Sequence, residues 1–259
     1  MQVDRSHKAR EWLETPLGAA LLQQEARVVE EALDGIFGEY CLQLGLWGER
    51  RTFMRFTRTQ RCALIGETLA TDNMAGEPCA VADFHRLPVD SDSVDAVLLP
   101  HTLDFSERPH EILREVDRVL RAHGHIVILG FKPGGLWGLR RLVQGAGMPP
   151  GAFHLISEKR LRDWLKLLDM RIQSTQRYFF RWPLPRRKVN ATQKWEQVGQ
   201  ALWPEAAACY MLTAQKRVST LTPVKPLWRA KPKVVAGLAE PSTRVSRIRF
   251  TRTGFDTKN

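Results

Sequence analysis

Three titratable side chains follow short apolar runs of the sequence. Glu67 ends the second run, Asp83 follows the third, and His101 comes shortly after the fourth. Carboxylates accept hydrogen bonds from ligand hydroxyl and amino groups, and an imidazole, whose usual pKa lies near neutrality, can act as a general base. Simpler interpretations stay open: Glu67 as a surface turn residue, Asp83 as a cap or turn acid, and His101 as a capping or packing side chain. The surrounding elements decide between them.

No metal centre is expected from the sequence. His123 and His125 have a spacing that could place two imidazoles on one face of a strand, but no third ligand lies within sequence reach, so a turn is favoured. The cysteines are scattered, without a C-x-x-C pair, at Cys41, Cys62, Cys79 and Cys209. Reduced thiols act as small hydrophobes, and a cytoplasmic chain is the simplest interpretation.

The stretch from Asp83 to Phe131 predicts the fold class. Two runs of strand length rich in Val, Ile and Leu, Val94–Leu99 and Gly124–Phe131, flank a segment with apolar residues at helical spacing. A buried strand, a crossover helix and a second buried strand are typical of a parallel α/β sheet. We expect the helix to begin at Ser106 and to end at Gly124.

Further apolar runs extend this sheet. Residues 40–45, 62–67 and 78–82 predict three strands, and residues 171–180 and 208–215 predict a strand and its hairpin partner. Ser157 is a good N-cap for a helix carrying Leu161, Leu165 and Leu168. A basic, poorly patterned segment at 51–60 could form another helix, and 136–143 a short one. The link 68–77 is turn-rich, so the helix usual there would be vestigial.

The N-terminal segment 1–38 is predicted to be a helical layer on the sheet. Its apolar residues follow a helical period with a break at Thr15-Pro16. A membrane-surface helix is less favoured because acidic residues, Glu25 among them, are expected to make the polar face negative. The chain has no apolar run of about 18 residues and no secretory leader, so we expect no membrane-spanning segment.

Positive charge concentrates at the C-terminal end. Residues 216–259 hold 11 Lys/Arg against Glu240 and Asp256, which accounts for +9 of the net +11. Residues 39–218 would then form the main α/β domain and 219–259 a basic tail without a sustained period. Such a tail could neutralise phosphates of nucleic acid or contact another acidic surface, although a solvated, solubilising extension is the simpler interpretation.

The central stretch resembles the class I S-adenosylmethionine (SAM)-dependent methyltransferases, in particular the type 11 group. The family shows an acid before a Leu-Pro-Phe-like turn, a Phe-Asp-Val strand, and a helix reading Leu-x-Glu-x-x-Arg-Val-Leu. The matching segments here are Ala82–Val89, Ser93–Val97 and Ile112–Leu120. Pro100-His101-Thr102-Leu103 is similar to a narrower group of uncharacterised bacterial methyltransferase-like proteins.

The resemblance implies a Rossmann-like, doubly wound sheet, SAM as cofactor and a set of site residues. Glu67 would accept hydrogen bonds from the ribose diol, Asp83 would accept from the adenine amine, and Phe84 would line the adenine ring. The turn Gln43-Leu44-Gly45 would let the backbone approach the cofactor. Pro100 would contact the methionine end, and His101 is the candidate catalytic base. A small-molecule acceptor would complete the reaction; the sequence identifies neither it nor the oligomeric state.

The first cofactor motif departs from the family pattern. Gln43 replaces an acid, and Trp47 and Glu49 occupy positions where glycines are usual. Two functions therefore stay open: a methyltransferase acting on a small molecule, and a degenerate member in which Trp47 fills the cofactor space and the protein serves as a binding module. The Asn-Pro-Pro-Tyr-type motif of amino-methylating enzymes is absent from the sequence, which disfavours methylation of adenine N6 or of a glutamine amide.

Overall fold

A computed structural model describes residues 2–49, 51–67, 79–135, 137–138, 150–152, 155–180 and 204–217. Several predictions lie outside these residues: the vestigial link at 68–77, most of the short helix at 136–143 and the basic tail at 219–259. Within the described residues no helix is long and apolar enough to cross a membrane.

The described chain forms a seven-stranded mixed sheet. The strands are β1 (Phe37–Leu44), β2 (Arg58–Gly66), β3 (Cys79–Val81), β4 (Val94–Pro100), β5 (Leu120–Phe131), β6 (Met170–Tyr178) and β7 (Cys209–Lys216). Their order is β3-β2-β1-β4-β5-β7-β6. The first five are parallel neighbours, and β7 runs antiparallel between β5 and β6. This confirms the doubly wound α/β class and the predicted C-terminal hairpin partners.

Helices cover both faces of the sheet. They are α1 (Gln2–Leu13), α2 (Pro16–Leu33), α3 (Arg51–Met54), α4 (Thr102–Phe105), α5 (Pro109–Val119) and α6 (Glu158–Leu167), with a 3₁₀ turn at Pro204–Ala206. One hydrophobic cluster joins α5 and α6 to the sheet, and a second joins α1 and α2 to it. The sheet is therefore buried on both sides, as its unbroken apolar strands predict.

The N-terminal helices form with two corrections. The layer was predicted to reach residue 38, but α2 ends at Leu33 and β1 begins at Phe37. The Thr15 side chain accepts a hydrogen bond from Gly18 N and caps α2, and Pro16 begins the helix. Glu25, expected on the polar face of this helix, is fully buried. The expectation was wrong because Glu25 lies four residues after Leu21 and four before Val29, within the helix stripe that faces the sheet.

Two helix boundaries also differ from the predictions. The α5 helix begins at Pro109 rather than Ser106, whose hydroxyl instead accepts a hydrogen bond from Arg108 N in the preceding turn. It ends at Val119, because Leu120 leaves the helix and begins β5. The segment 51–60 is helical only over Arg51–Met54, and from Arg58 it belongs to β2.

Candidate active site

The carboxyl ends of β3, β2, β1 and β4 lie side by side and carry the predicted cofactor residues. Ala82 N donates to Gly66 O (3.0 Å), and Gly45 N donates to Ile65 O (2.8 Å). These bonds set Asp83, Glu67 and Gly45 at adjacent strand ends, and the pairing of Gln43 with Leu98 brings the end of β4 next to the end of β1. Carboxyl ends of parallel strands are the usual ligand edge of such sheets.

The turn after β1 makes a close approach that requires glycine. Gly45 has a φ of +88°, and a Cβ built there would meet the Thr102 hydroxyl oxygen at 3.1 Å. The same hydroxyl donates to Leu44 O (2.5 Å). Thr102, the first residue of α4, therefore closes the gap between the end of β1 and the end of β4.

Gln43 is buried beneath this turn. Its Nε2 donates to Gly45 O (3.0 Å), while its Oε1 is buried without a hydrogen-bond partner among the described residues. A buried acceptor of this kind usually pairs with another polar group, because leaving it unpaired costs about 1–3 kcal/mol. The amide that replaces the family's acid thus retains an acceptor oxygen at the same place in the chain.

Asp83 is exposed and held by its own turn. Its Oδ1 accepts from His85 N (2.9 Å) and contacts His85 Nδ1 (2.6 Å). Hydrogen bonds from the His85 backbone and side chain lower the pKa of Asp83, so its carboxyl is ionised at neutral pH. Within the described part of the chain, Oδ2 makes no hydrogen bond. Asp83 Oδ1 is therefore used as the turn-acid interpretation expects, and Oδ2 is available to accept a hydrogen bond from a ligand.

The remaining predicted residues occupy different environments. Glu67 is half-buried in the bend that follows β2. The Phe84 side chain is 5% exposed and belongs to the α5-side hydrophobic cluster, which leaves mainly its backbone at the edge. Pro100 is buried and pairs with Leu129 of β5.

His101 is completely buried between two carboxylates. Its Nε2 lies 2.7 Å from Glu25 Oε1 and its Nδ1 lies 3.0 Å from Asp104 Oδ2. Its ring stacks on Phe131 at a centroid distance of 4.0 Å. The backbone is left-handed (φ 57°, ψ 7°), a conformation that costs a non-glycine residue about 1–3 kcal/mol and that surrounding contacts must maintain.

These contacts set the protonation state of the imidazole. Desolvation lowers the pKa of His101, but the charge of Glu25 and the hydrogen bonds to Asp104 and Glu25 outweigh it and raise the pKa from 6.5 to about 9. Burial raises the pKa of Asp104, although the bond to His101 opposes it. His101 is therefore an imidazolium at neutral pH, ion-paired and without access to solvent, which favours the packing interpretation over the general-base one.

Trp47 completes the buried cluster. Its Nε1 donates to Glu25 Oε2 (2.6 Å), and its rings lie 4.6 Å from the His101 ring and 5.8 Å from the Phe105 ring, centroid to centroid. The indole belongs to the hydrophobic cluster that contains α1 and α2, whereas Leu44 belongs to the cluster on the other side. Its position does not favour the degenerate interpretation, in which the indole fills the cofactor space.

Several of these residues were not identified from the sequence. In the sequence Thr102 stands out only as part of the Pro100–Leu103 resemblance, and neither Glu25 nor Asp104 is predicted as a site residue. For Glu25 a signal was available: an acid on an apolar helix stripe is buried, and a buried carboxylate needs donors. The described residues, His123 and His125 among them, contain no group of three or more histidine, cysteine, aspartate or glutamate side chains that could hold a metal ion.

Comparison with known proteins supports the methyltransferase resemblance. The sequence model of a type 11 methyltransferase domain matches residues 60–128, which run from β2 into β5. Two similar solved structures are SAM-dependent methyltransferases. One, from Thermotoga maritima, has a TM-score of 0.59, 15% identity and coverage of 80% of this chain and 93% of its own. The other, from Archaeoglobus fulgidus, has a TM-score of 0.56 and 14% identity, and the match covers 76% of this chain and 94% of its own. The fold is that of the SAM-dependent methyltransferases.

A relative of similar length defines the family. The chain is 34% identical over 238 residues to the uncharacterized protein YafS of Escherichia coli strain K12, covering 91% of this chain and 92% of the relative. The chain belongs to the same family as YafS, and its residues 60–128 match the methyltransferase domain model. The predicted resemblance to uncharacterised bacterial methyltransferase-like proteins is confirmed.

Proposed function

We propose that the protein binds SAM across the carboxyl ends of β3, β2, β1 and β4 and transfers its methyl group to a small-molecule acceptor. The observation that carries the proposal is the row of cofactor-type groups in strand order: Asp83, Glu67, the Gly45 turn and Pro100. A structure of geranyl diphosphate methyltransferase in complex with SAM shares the fold (TM-score 0.52, 14% identity). That neighbour supports SAM as the ligand of this edge.

The side chains present suit the parts of this cofactor. In this assignment Asp83 Oδ2 accepts from the adenine amine and the Glu67 carboxylate accepts from the ribose hydroxyls. The left-handed Gly45 brings backbone close to the ligand, and the unpaired Gln43 Oε1 offers an acceptor near the same turn. When bound, SAM supplies a methyl group on a positively charged sulfur, which is the electrophile of the reaction.

His101 is not assigned as the general base of the methyl transfer. A buried imidazolium with both ring nitrogens paired to carboxylates cannot take a proton from a substrate at neutral pH. We assign His101 to the architecture of the site. Residues 132–156 and 181–207, the segments expected to shape the acceptor pocket, lie largely outside the described residues.

The proposal is tested by calorimetric titration of the purified, cofactor-stripped full chain with S-adenosylhomocysteine. We expect saturable binding by the wild type and a loss of about tenfold or more in Asp83→Asn, because the amide nitrogen opposes the adenine amine and a charge-assisted bond is lost. Asp90→Asn is the matched control, since Asp90 is an exposed acid later in the same loop.

Absence of binding by the wild type, with no shift in thermal unfolding, would contradict the proposal and favour the binding-module alternative. Equal loss in the Asp83 and Asp90 variants would instead contradict the assignment of Asp83, because a loss shared with the control is not specific to the adenine site.

A further inference from the structure

Glu25 is the residue through which the two turns of the candidate site are joined. It lies in the middle of α2, completely buried, and uses both carboxylate oxygens. Oε2 accepts from the Trp47 indole N–H at 2.6 Å, and Oε1 lies 2.7 Å from His101 Nε2. Trp47 belongs to the turn after β1 and His101 to the turn after β4. One carboxylate on one helix therefore fixes a side chain from each turn.

Other contacts also pack the two turns against each other and the turn after β1 against α2. A Cβ on Gly48, whose φ is +75°, would lie 2.7 Å from a methyl carbon of Leu22 in α2. The Thr102 hydroxyl bonds directly to Leu44 O. The His101 backbone N donates to Leu129 O at 3.1 Å. The turn after β1 is thus in contact with both α2 and the turn after β4.

The turn after β4 is itself held in an unfavourable backbone conformation. His101 adopts left-handed dihedrals, and its ring is kept in place by Glu25 on one side and Asp104 on the other. Asp104 Oδ2 also accepts from Phe131 N at 3.0 Å, which attaches this turn to β5. Loss of the Glu25 partner would leave a buried imidazolium with one carboxylate and release the restraint on the left-handed residue.

We propose that Glu25 is a positioning residue of the cofactor site: it ties the turn after β1 to the turn after β4 and so sets the opening that the cofactor enters. The inference rests on the proposed function, because it assigns Glu25 a role in the same site. It makes the N-terminal helical layer part of the site's architecture rather than only a cover for the sheet. Glu25 itself touches neither cofactor nor acceptor in this assignment.

The test compares three variants of the full chain. Glu25→Gln keeps the shape of the side chain but has only one acceptor oxygen. In the wild type, Trp47 and His101 each bind a different oxygen of Glu25. Trp47→Phe removes the indole donor from the turn after β1. Tyr178→Phe is the matched control: its hydroxyl also donates to Glu25 Oε1, at 3.3 Å, but Tyr178 ends β6 and belongs to neither turn.

Two readouts are measured on folded protein, well below each variant's unfolding temperature. We expect the dissociation constant for S-adenosylhomocysteine to rise about tenfold in Glu25→Gln and in Trp47→Phe and to change less than about twofold in Tyr178→Phe. Hydrogen exchange should accelerate at the amides of 45–48 and 101–105 in the first two variants only. A double variant of Glu25 and Trp47 should lose less than the sum of the single effects, since both act on one contact.

Contrary results are distinct from one another. If Glu25→Gln lowers the unfolding temperature but binds S-adenosylhomocysteine as tightly as the wild type does, Glu25 has only a structural role and the inference is overturned. Equal weakening in Tyr178→Phe would overturn it as well. If Glu25→Gln does not fold, Trp47→Phe decides by the same criteria. Failure of the wild type to bind would contradict the proposed function, and the inference with it.

Discussion

The protein should lose stability at alkaline pH, because His101 holds its proton more tightly in the folded state than in the unfolded chain. The pKa of its imidazole is 6.5 in the unfolded chain and about 9 in the folded one. The folded state therefore keeps a proton that the unfolded state releases between these values. At 1.36 kcal/mol per unit, His101 contributes about 3 kcal/mol, fully present below pH 6.5 and lost as the pH rises through 9. Among the described residues, two titratable groups contact the ring, Glu25 and Asp104, and the Tyr178 hydroxyl donates to Glu25.

The neighbouring groups do not reverse this sign. Burial raises the pKa of Asp104, so its carboxyl also holds a proton more tightly in the folded state, and it too lowers stability as the pH rises above 3.8. Burial and the charge of Glu25 raise the pKa of Tyr178 well above 10, so this hydroxyl stays neutral over the window. The expected slope between pH 6.5 and 9 is thus negative, with about one proton released on unfolding from His101.

Urea unfolding at a series of pH values measures the free energy, and NMR of ¹⁵N-labelled histidine follows the ring directly. We expect the His101 nitrogens to titrate near pH 9. His125 provides an internal control, because partial burial lowers its pKa below 6.5. A His101 ring that titrates below pH 7, or a stability that does not fall over this window, would refute the ion-paired assignment.

Three further predictions concern single substitutions. Gly45→Ala should destabilise the fold by about 1–3 kcal/mol and weaken cofactor binding, because φ is +88° at this residue; unchanged denaturation and titration curves would argue against the strained turn. Trp47→Gly should cost about 3–5 kcal/mol and leave cofactor affinity no tighter, since the indole is buried against Glu25; tighter binding in a titration would revive the degenerate alternative. Ser157→Ala should cost about 1 kcal/mol in urea unfolding by removing the cap on Arg160 N, whereas Ser157→Asn should not.

Much of the fold could be predicted because local signals and burial agree. The runs at 94–99 and 124–131 are apolar without alternation, as is typical of strands buried on both faces, and both form central strands. Ser157 caps α6 and Thr15 caps α2 as their residue types indicate. Boundaries were harder where one element follows another directly: α5 ends at Val119 and β5 begins at Leu120, with no intervening glycine.

The candidate site was predictable where it depends on strand ends and not where it depends on tertiary contacts. Asp83, Glu67 and Gly45 follow successive strands, so sheet order brings them together. Glu25 and His101 are 76 residues apart, and their pairing depends on how α2 crosses the end of β4. No local pattern encodes that crossing, so the pairing of Glu25 with His101 could not be predicted. The burial of Glu25 could have been, because its spacing from Leu21 and Val29 places it on the buried stripe of α2.

A crystal structure of the full chain with S-adenosylhomocysteine would show whether the strand ends of β1–β4 form a SAM site. We expect the adenine amine within hydrogen-bond distance of Asp83, the ribose hydroxyls on Glu67, and the amino-acid end beside Gly45 and Pro100. A ligand bound elsewhere, or at this edge with its adenine away from Asp83, would contradict the proposed site.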